Sequence, residues 1–185
     1  MTLGPIFTPA NQLTLMRMLL IPAFVILLIY GYRGWALVTF FAAGITDLFD
    51  GLIARLTGEK TVLGAWLDPM ADKLLLVTMF VMLTLPEIGG PNRLPLWFTV
   101  LVISRDVAIV ATVAVVNLAV GPRTFRPSVY GKVATALYIV TGVAALYFNY
   151  LDQPSVLVQI LIYASLAITF ISAGHYAVQV ARMAH

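Results

Sequence analysis

The sequence predicts an all-α, polytopic integral membrane protein with six transmembrane helices. Of its 185 residues, 61% are hydrophobic and only 10% are charged, and the mean hydropathy is +0.97. Soluble domains carry about 25% charged residues, so this composition indicates a surface that faces lipid. The length suits a single domain, residues 1–185.

Six apolar segments are long enough to cross a bilayer, which takes about 20 residues of helix. Short links rich in Gly, Pro and polar residues separate them. Residues 1–12 are predicted to be an interfacial lead-in. The predicted spans are approximately 13–32, 35–56, 62–85, 96–120, 133–150 and 155–178.

Basic residues are distributed unevenly between the two sides of this bundle. The links that follow spans two and four, together with the C-terminus, carry Arg55, Lys60, Arg123, Arg126, Lys132 and Arg182. The opposite links hold only Arg33 and Arg93. The positive-inside rule therefore predicts cytoplasmic termini and a polar cavity that faces the cytoplasm. The net charge of +3 is too small to indicate nucleic-acid binding, and the chain has no cysteine.

The stretch Thr46–Lys73 places Asp47, Asp50, Asp68 and Asp72 in or beside hydrophobic segments. One Asp at the centre of a membrane helix costs about 2.5–3.5 kcal/mol. The i, i+3 and i, i+4 spacings put each pair on one helix face, and a short polar link lets the two helices lie side by side. Bound divalent cations would compensate four converging carboxylates, and oxygen-only ligands favour Mg²⁺, Mn²⁺ or Ca²⁺ over zinc.

Small residues accompany the carboxylates. Gly51, Ala54 and Gly64 leave room for a ligand or a neighbouring backbone, and Arg55 lies where it could pair with a phosphate. The alternative interpretation is that the carboxylates lie at helix ends and pair with Arg55, Lys60 and Lys73. Four carboxylates at this spacing favour a metal site.

The whole stretch has the pattern Asp47-x2-Asp50-Gly51-x2-Ala54-Arg55-x8-Gly64-x3-Asp68-x3-Asp72. At every fixed position this pattern resembles the signature of the CDP-alcohol phosphotransferase family. The resemblance implies a six-helix membrane enzyme with two divalent cations, Mg²⁺ or Mn²⁺. Such enzymes transfer a phosphatidyl or similar group from a CDP-linked donor to an alcohol and release CMP. The segment Asn11-x2-Thr14-x2-Arg17-x4-Pro22 resembles the motif that opens many members, near the nucleotide pocket.

The resemblance also implies roles for individual residues. The metal ligands are expected to be Asp47, Asp50, Asp68 and Asp72. Asp72 is expected to be the general base as well, with Asp68 as the second catalytic carboxylate. The residues expected to contact CDP are Asp50, Gly51, Ala54, Arg55 and Gly64.

Span four contains an ionisable pair, Arg105 and Asp106. Intramembrane ionisable residues are functional hypotheses by default, although mutual pairing as a structural device is the alternative. The family resemblance favours Arg105 as a ligand for an acceptor or donor phosphate. Arg126 and Lys132 could complete that pocket.

The second half of the chain suggests the acceptor. Ile103–Asp106, Arg126–Thr135 and Phe148–Tyr150 resemble elements of CMP-forming cardiolipin synthases. Phosphatidylglycerophosphate synthases usually carry a second Arg about two turns after the first, whereas no basic residue lies between Arg105 and Val120 here. The favoured reaction therefore transfers the phosphatidyl group of CDP-diacylglycerol to phosphatidylglycerol, which gives cardiolipin. Glycerol 3-phosphate is the alternative acceptor.

A different functional class is a cation-binding membrane transporter, in which intramembrane carboxylates bind the transported ion. It predicts an aqueous path and possibly inverted repeats, and the sequence shows no repeat. The enzyme hypothesis places the protein in a bacterial inner membrane with its active site facing the cytoplasm. The resemblance also implies a homodimer.

Overall fold

The structure is a computed structural model whose described backbone consists of six α-helices without a β-strand, which confirms the all-α prediction. The described backbone covers residues 9–57, 62–120 and 129–183. Side chains are described for residues 14–46, 70–112 and 129–175, and for Gln12 and Leu118.

One helix corresponds to each predicted apolar segment. In chain order the helices are α1 Pro9–Ile29, α2 Arg33–Thr57, α3 Val62–Thr84, α4 Leu96–Val120, α5 Val129–Tyr150 and α6 Val156–Met183.

Three helix ends extend by four or five residues beyond the apolar runs that predicted them. Helix α1 begins at Pro9, because the fixed φ of proline suits the first helical position. Helix α5 begins at Val129 and α6 continues to Met183, because an established helix gains a hydrogen bond for each added residue, polar or apolar. Lys132, which the sequence placed in a loop, consequently lies on the first turn of α5.

The turn between α1 and α2 is closed by a glycine in the left-handed region. Gly31 has φ +77° and its amide donates to the Leu28 carbonyl at 3.1 Å, while the Tyr32 amide donates to Leu27 at 2.8 Å. This is the Schellman arrangement, which satisfies carbonyls at a helix end. The tight turn lets α1 pack along α2, the most extensive helix contact in the described chain.

The other contacts join these helices into one bundle. Helix α5 packs on α6, α1 also contacts α3, and α3 contacts α4 and α5. Apolar side chains with little or no exposure fill the space between them, among them Phe24, Phe40, Met79, Phe80, Phe98 and Leu146. Hydroxyl pairs add interhelical hydrogen bonds, Thr84 with Thr99 at 2.6 Å and Thr141 with Ser165 at 3.1 Å.

Two helices of the described chain are long and apolar enough to cross a bilayer by length and composition. They cover Val129–Tyr150 and Val156–His175. In α1, the apolar stretch Thr14–Ile29 is shorter than these two.

At one end of the bundle, buried amides join the α3–α4 link to the α5–α6 link. The Asn149 side chain accepts from the main-chain amide of Asn92 at 2.8 Å and donates to the Gly89 carbonyl at 2.8 Å. The Asn92 side chain donates to the main-chain carbonyl of Gln153 at 2.7 Å and accepts from the amide of Ser155 at 2.7 Å. Asn149 therefore satisfies main-chain groups that would otherwise be buried without partners.

We expect Asn149→Ala to lower the melting temperature of the detergent-purified protein. The substitution leaves the Asn92 amide and the Gly89 carbonyl without their partner, at a cost of about 1–3 kcal/mol for each unpaired buried group. Gln153→Ala is the matched control, because Gln153 contributes only its main-chain carbonyl to this network. Equal melting temperatures for the two variants would contradict the role given to Asn149.

Candidate active site

A fully buried arginine contacts one of the predicted site carboxylates. Arg17 on α1 has a side chain that is 0% exposed, and its Nη1 donates to Oδ1 of Asp72 on α3 at 2.6 Å. Thr14, one turn earlier in α1, is also buried. A buried charge without a partner costs several kcal/mol, so the ion pair with Asp72 helps to stabilise the guanidinium between α1 and α3.

Asp72 remains accessible on its other side. Its side chain is 41% exposed although its partner is fully buried. A charge-assisted hydrogen bond of this length holds a carboxylate in a defined orientation. The carboxylate predicted to be the base is therefore fixed by α1 and reachable by a ligand.

A second charged cluster surrounds Arg105, whose side chain is 12% exposed. Its Nη1 donates to Oδ1 of Asp106 at 2.9 Å, and its Nη2 donates to the Gly131 carbonyl at 3.2 Å. Its guanidinium carbon lies 5.9 Å from the centre of the Tyr138 ring, within cation–π range. Arg105 is thereby held between α4 and α5, and its buried Nε has no hydrogen-bond partner among the described residues.

Asp106 also connects α4 to α3. Its Oδ2 lies 3.4 Å from Nζ of Lys73, the residue that follows Asp72. Asp106 therefore makes both the pairing with Arg105 that the sequence allowed and a second contact that the sequence did not predict.

Lys132 lies at the same turn of α5 that Arg105 contacts. It follows Gly131, whose carbonyl accepts from Arg105, and its side chain is exposed. Of the three residues predicted to bind the acceptor, Arg105 therefore contacts the turn of α5 that carries Lys132. Arg126 lies outside the described residues.

Most of the predicted metal and CDP ligands have side chains outside the described part of the structure. These residues are Asp47, Asp50, Gly51, Ala54 and Arg55 in α2, and Gly64 and Asp68 in α3. The two helices that carry them contact each other, but the convergence of the four carboxylates stays a prediction. The described side chains contain no group of three His, Cys, Asp or Glu residues that could hold a metal ion.

Two contacts were missed by the sequence analysis, the pairing of Arg17 with Asp72 and that of Lys73 with Asp106. A signal for the first existed, because Arg17 lies within a predicted span and intramembrane charges need partners. The spacing of Thr14 and Arg17 also places them on one helix face.

Comparison with known proteins decides the family. The sequence profile of the CDP-alcohol phosphatidyltransferase family matches residues 7–171. The chain belongs to the CDP-alcohol phosphatidyltransferase family.

Similar members of this phosphatidyltransferase family carry two different names. The chain is 39% identical over 130 residues to the probable phosphatidylglycerophosphate synthase of Mycobacterium tuberculosis (strain ATCC 25618 / H37Rv), covering 66% of this chain and 57% of the relative. It is 34% identical over 186 residues to the human cardiolipin synthase (CMP-forming), covering 85% and 60%. It is 33% identical over 144 residues to a putative cardiolipin synthase of the same Mycobacterium strain, covering 76% and 65%.

The chain therefore spans between 57% and 65% of the length of these three relatives. The two names refer to different products, phosphatidylglycerophosphate and cardiolipin.

The Arg17–Asp72 contact predicts energetic coupling between the two residues. We expect Arg17→Gln and Asp72→Asn each to lower the free energy of unfolding in detergent, and the double variant to lower it by less than the sum. Residues in direct ionic contact typically couple by about 0.5–3 kcal/mol. Arg93→Gln combined with Asp72→Asn is the control. Arg93 donates to the Thr84 carbonyl and not to Asp72, so the losses in unfolding free energy of these two substitutions should add. Additivity in the first pair would contradict the contact.

Proposed function

We propose that this protein is a metal-dependent CDP-alcohol phosphatidyltransferase that transfers the phosphatidyl group of CDP-diacylglycerol to phosphatidylglycerol. The products are cardiolipin and CMP. The observation that carries the reaction type is an accessible carboxylate, Asp72, which Arg17 orients and which lies beside two cations, Lys73 and Arg105, that could receive an acceptor phosphate. Membership of the phosphatidyltransferase family supports the reaction type.

The reaction follows from the chemistry of the two substrates. A hydroxyl oxygen of the acceptor attacks the phosphorus that carries diacylglycerol, and a new phosphodiester bond forms. The phosphoanhydride bond to CMP breaks, so that CMP leaves with its electron pair. Asp72 accepts the hydroxyl proton, and such general-base catalysis typically contributes about 10²–10⁴-fold. Arg17 keeps the Asp72 oxygen oriented, and Asp68 is the second catalytic carboxylate of the proposal.

The donor set suits hard divalent cations. Asp47, Asp50, Asp68 and Asp72 offer only carboxylate oxygens, which Mg²⁺ and Mn²⁺ prefer over softer ligands. These four residues would hold two such ions, which when bound would neutralise the diphosphate and stabilise the leaving CMP.

The remaining signature residues would contact the nucleotide of the donor. Besides the Asp50 carboxylate, they are Gly51, Ala54, Arg55 and Gly64. The small residues would allow close approach of the ligand, and Arg55 would pair with a phosphate.

We propose that all six helices cross the membrane. Each is at least as long as α1, which has 21 residues, and about 20 residues of helix span a hydrocarbon core. Large apolar side chains point outward along the bundle, such as Leu19, Val110 and Phe170 at 73%, 57% and 66% exposure. Soluble monomers rarely expose such surfaces. The positive-inside distribution supports a cytoplasmic location for both termini. The bacterial inner membrane and the homodimer expected from the resemblance belong to the same proposal.

Phosphatidylglycerophosphate synthesis from glycerol 3-phosphate is the second candidate. The contact of Lys73 with Asp106 favours it, because Lys73 adds a cation next to Arg105. A phosphomonoester carries more charge than the phosphodiester of phosphatidylglycerol and suits two cations. Family membership supports either transfer over the cation transporter that the sequence also allowed.

The deciding experiment supplies purified protein with CDP-diacylglycerol, Mg²⁺ or Mn²⁺, and each acceptor separately. We expect CMP release and cardiolipin, identified by mass spectrometry, with phosphatidylglycerol. Phosphatidylglycerophosphate formed only with glycerol 3-phosphate would establish the second candidate. Absence of CMP release with either acceptor would contradict both.

The same assay tests whether Asp72 is the general base. Asp72→Asn should slow CMP release by at least about 10²-fold, because the amide cannot take the hydroxyl proton. Asp152→Asn makes the same chemical change at an exposed site that pairs with Arg33 and should leave turnover unchanged. Wild-type turnover by Asp72→Asn would remove Asp72 from the base role.

A further inference from the structure

Two cations from different helices share one carboxylate beside the proposed base. We propose that Lys73 binds the phosphate of the acceptor together with Arg105, and that Asp106 is the positioning residue that holds both cations for it. This inference rests on the proposed function and deepens it, because it names a phosphate ligand and a positioning residue that the family signature does not include.

The two contacts of Asp106 differ in strength. Its Oδ1 accepts from Arg105 at 2.9 Å, whereas its Oδ2 lies 3.4 Å from Nζ of Lys73. Hydrogen bonds from nitrogen to oxygen are usually 2.7–3.2 Å long, so the ammonium is held loosely. Lys73 is also 48% exposed, and an ammonium has three donors. Lys73 can therefore contact a phosphate oxygen while it stays beside Asp106.

Arg105 is held much more rigidly. Its guanidinium donates hydrogen bonds to Asp106 and to the Gly131 carbonyl, and it lies over the Tyr138 ring. Only two of its nitrogens use their N–H groups in these hydrogen bonds, and a guanidinium has five N–H donors. A preorganised arginine beside an exposed lysine forms a two-cation site, and Asp106 offsets only one of the two positive charges.

The position of Lys73 in the chain links this site to the proposed base. Consecutive helix residues diverge by about 100°, since a turn contains 3.6 residues, so Lys73 and Asp72 present neighbouring but separate surfaces. In both candidate acceptors a glycerol of three carbons separates the phosphate from the attacking hydroxyl. An acceptor whose phosphate lies on Lys73 and Arg105 can thus direct its hydroxyl toward Asp72, which is the positioning that accelerates such reactions.

The test measures the KM for the acceptor separately from the KM for CDP-diacylglycerol. We expect Lys73→Ala to raise the acceptor KM about 10-fold or more, because a hydrogen bond to a charged group contributes about 1.5–3 kcal/mol. The KM for CDP-diacylglycerol should stay unchanged, and Lys73→Arg should restore most of the acceptor affinity. Asp106→Asn should raise the acceptor KM in the same selective way. Arg93→Ala, which removes a cation from the α3–α4 link, is the control and should change neither constant.

A binding measurement without turnover provides an independent readout. Calorimetry with sn-glycerol 3-phosphate and with glycerophosphoglycerol, the water-soluble deacylated form of phosphatidylglycerol, should show weaker binding to Lys73→Ala than to wild type. The compound whose affinity responds identifies which phosphate the two cations hold. Equal affinities and an equal acceptor KM in Lys73→Ala would overturn the inference, as would a parallel rise of both KM values. Failure of the proposed function would look different, because the wild-type protein would then release no CMP with any acceptor.

Discussion

The ion pair between Arg17 and Asp72 is the interaction on which the proposed active site depends. A guanidinium that is 0% exposed inside a bundle of apolar helices is stable only when its charge is compensated, since the desolvation of one ion costs several kcal/mol. The pair therefore fixes the packing of α1 against α3 and the orientation of the proposed base at the same time. The first helix, which carries no signature residue, becomes part of the site through this contact.

The bundle contains two polar clusters of different character, an amide network and a group of charged side chains. At one end the amides of Asn149 and Asn92 satisfy each other and the neighbouring main chain, which closes the links into a fixed structure. Farther along the helices, near the middle of α3, the charges of Lys73, Asp106 and Arg105 are paired but include an exposed ammonium. Amide networks of this kind stabilise a fold, whereas an excess of accessible positive charge is suited to an anionic ligand.

Hydropathy predicted the number and order of the helices, because each apolar run long enough to span became one helix. The helix starts at Pro9 and Val129 were missed, because a helix can begin before the first residue of its apolar run. Residue spacing predicted on which face of its own helix each of Asp72 and Arg105 lies. It did not predict the contact of Arg17 with Asp72, because a periodicity specifies a face and not which helix packs against it. The convergence of the signature carboxylates stays a prediction.

We propose that carboxylates of α2 and α3, oriented in part by α1, bind two divalent cations side by side. Electron paramagnetic resonance of the purified protein loaded with Mn²⁺ and CDP tests it most directly. We expect two bound ions per chain and a spin-coupled spectrum, because ions in such sites lie about 3.5–4 Å apart. A spectrum of isolated Mn²⁺, or binding no greater than that of protein-free detergent, would contradict it.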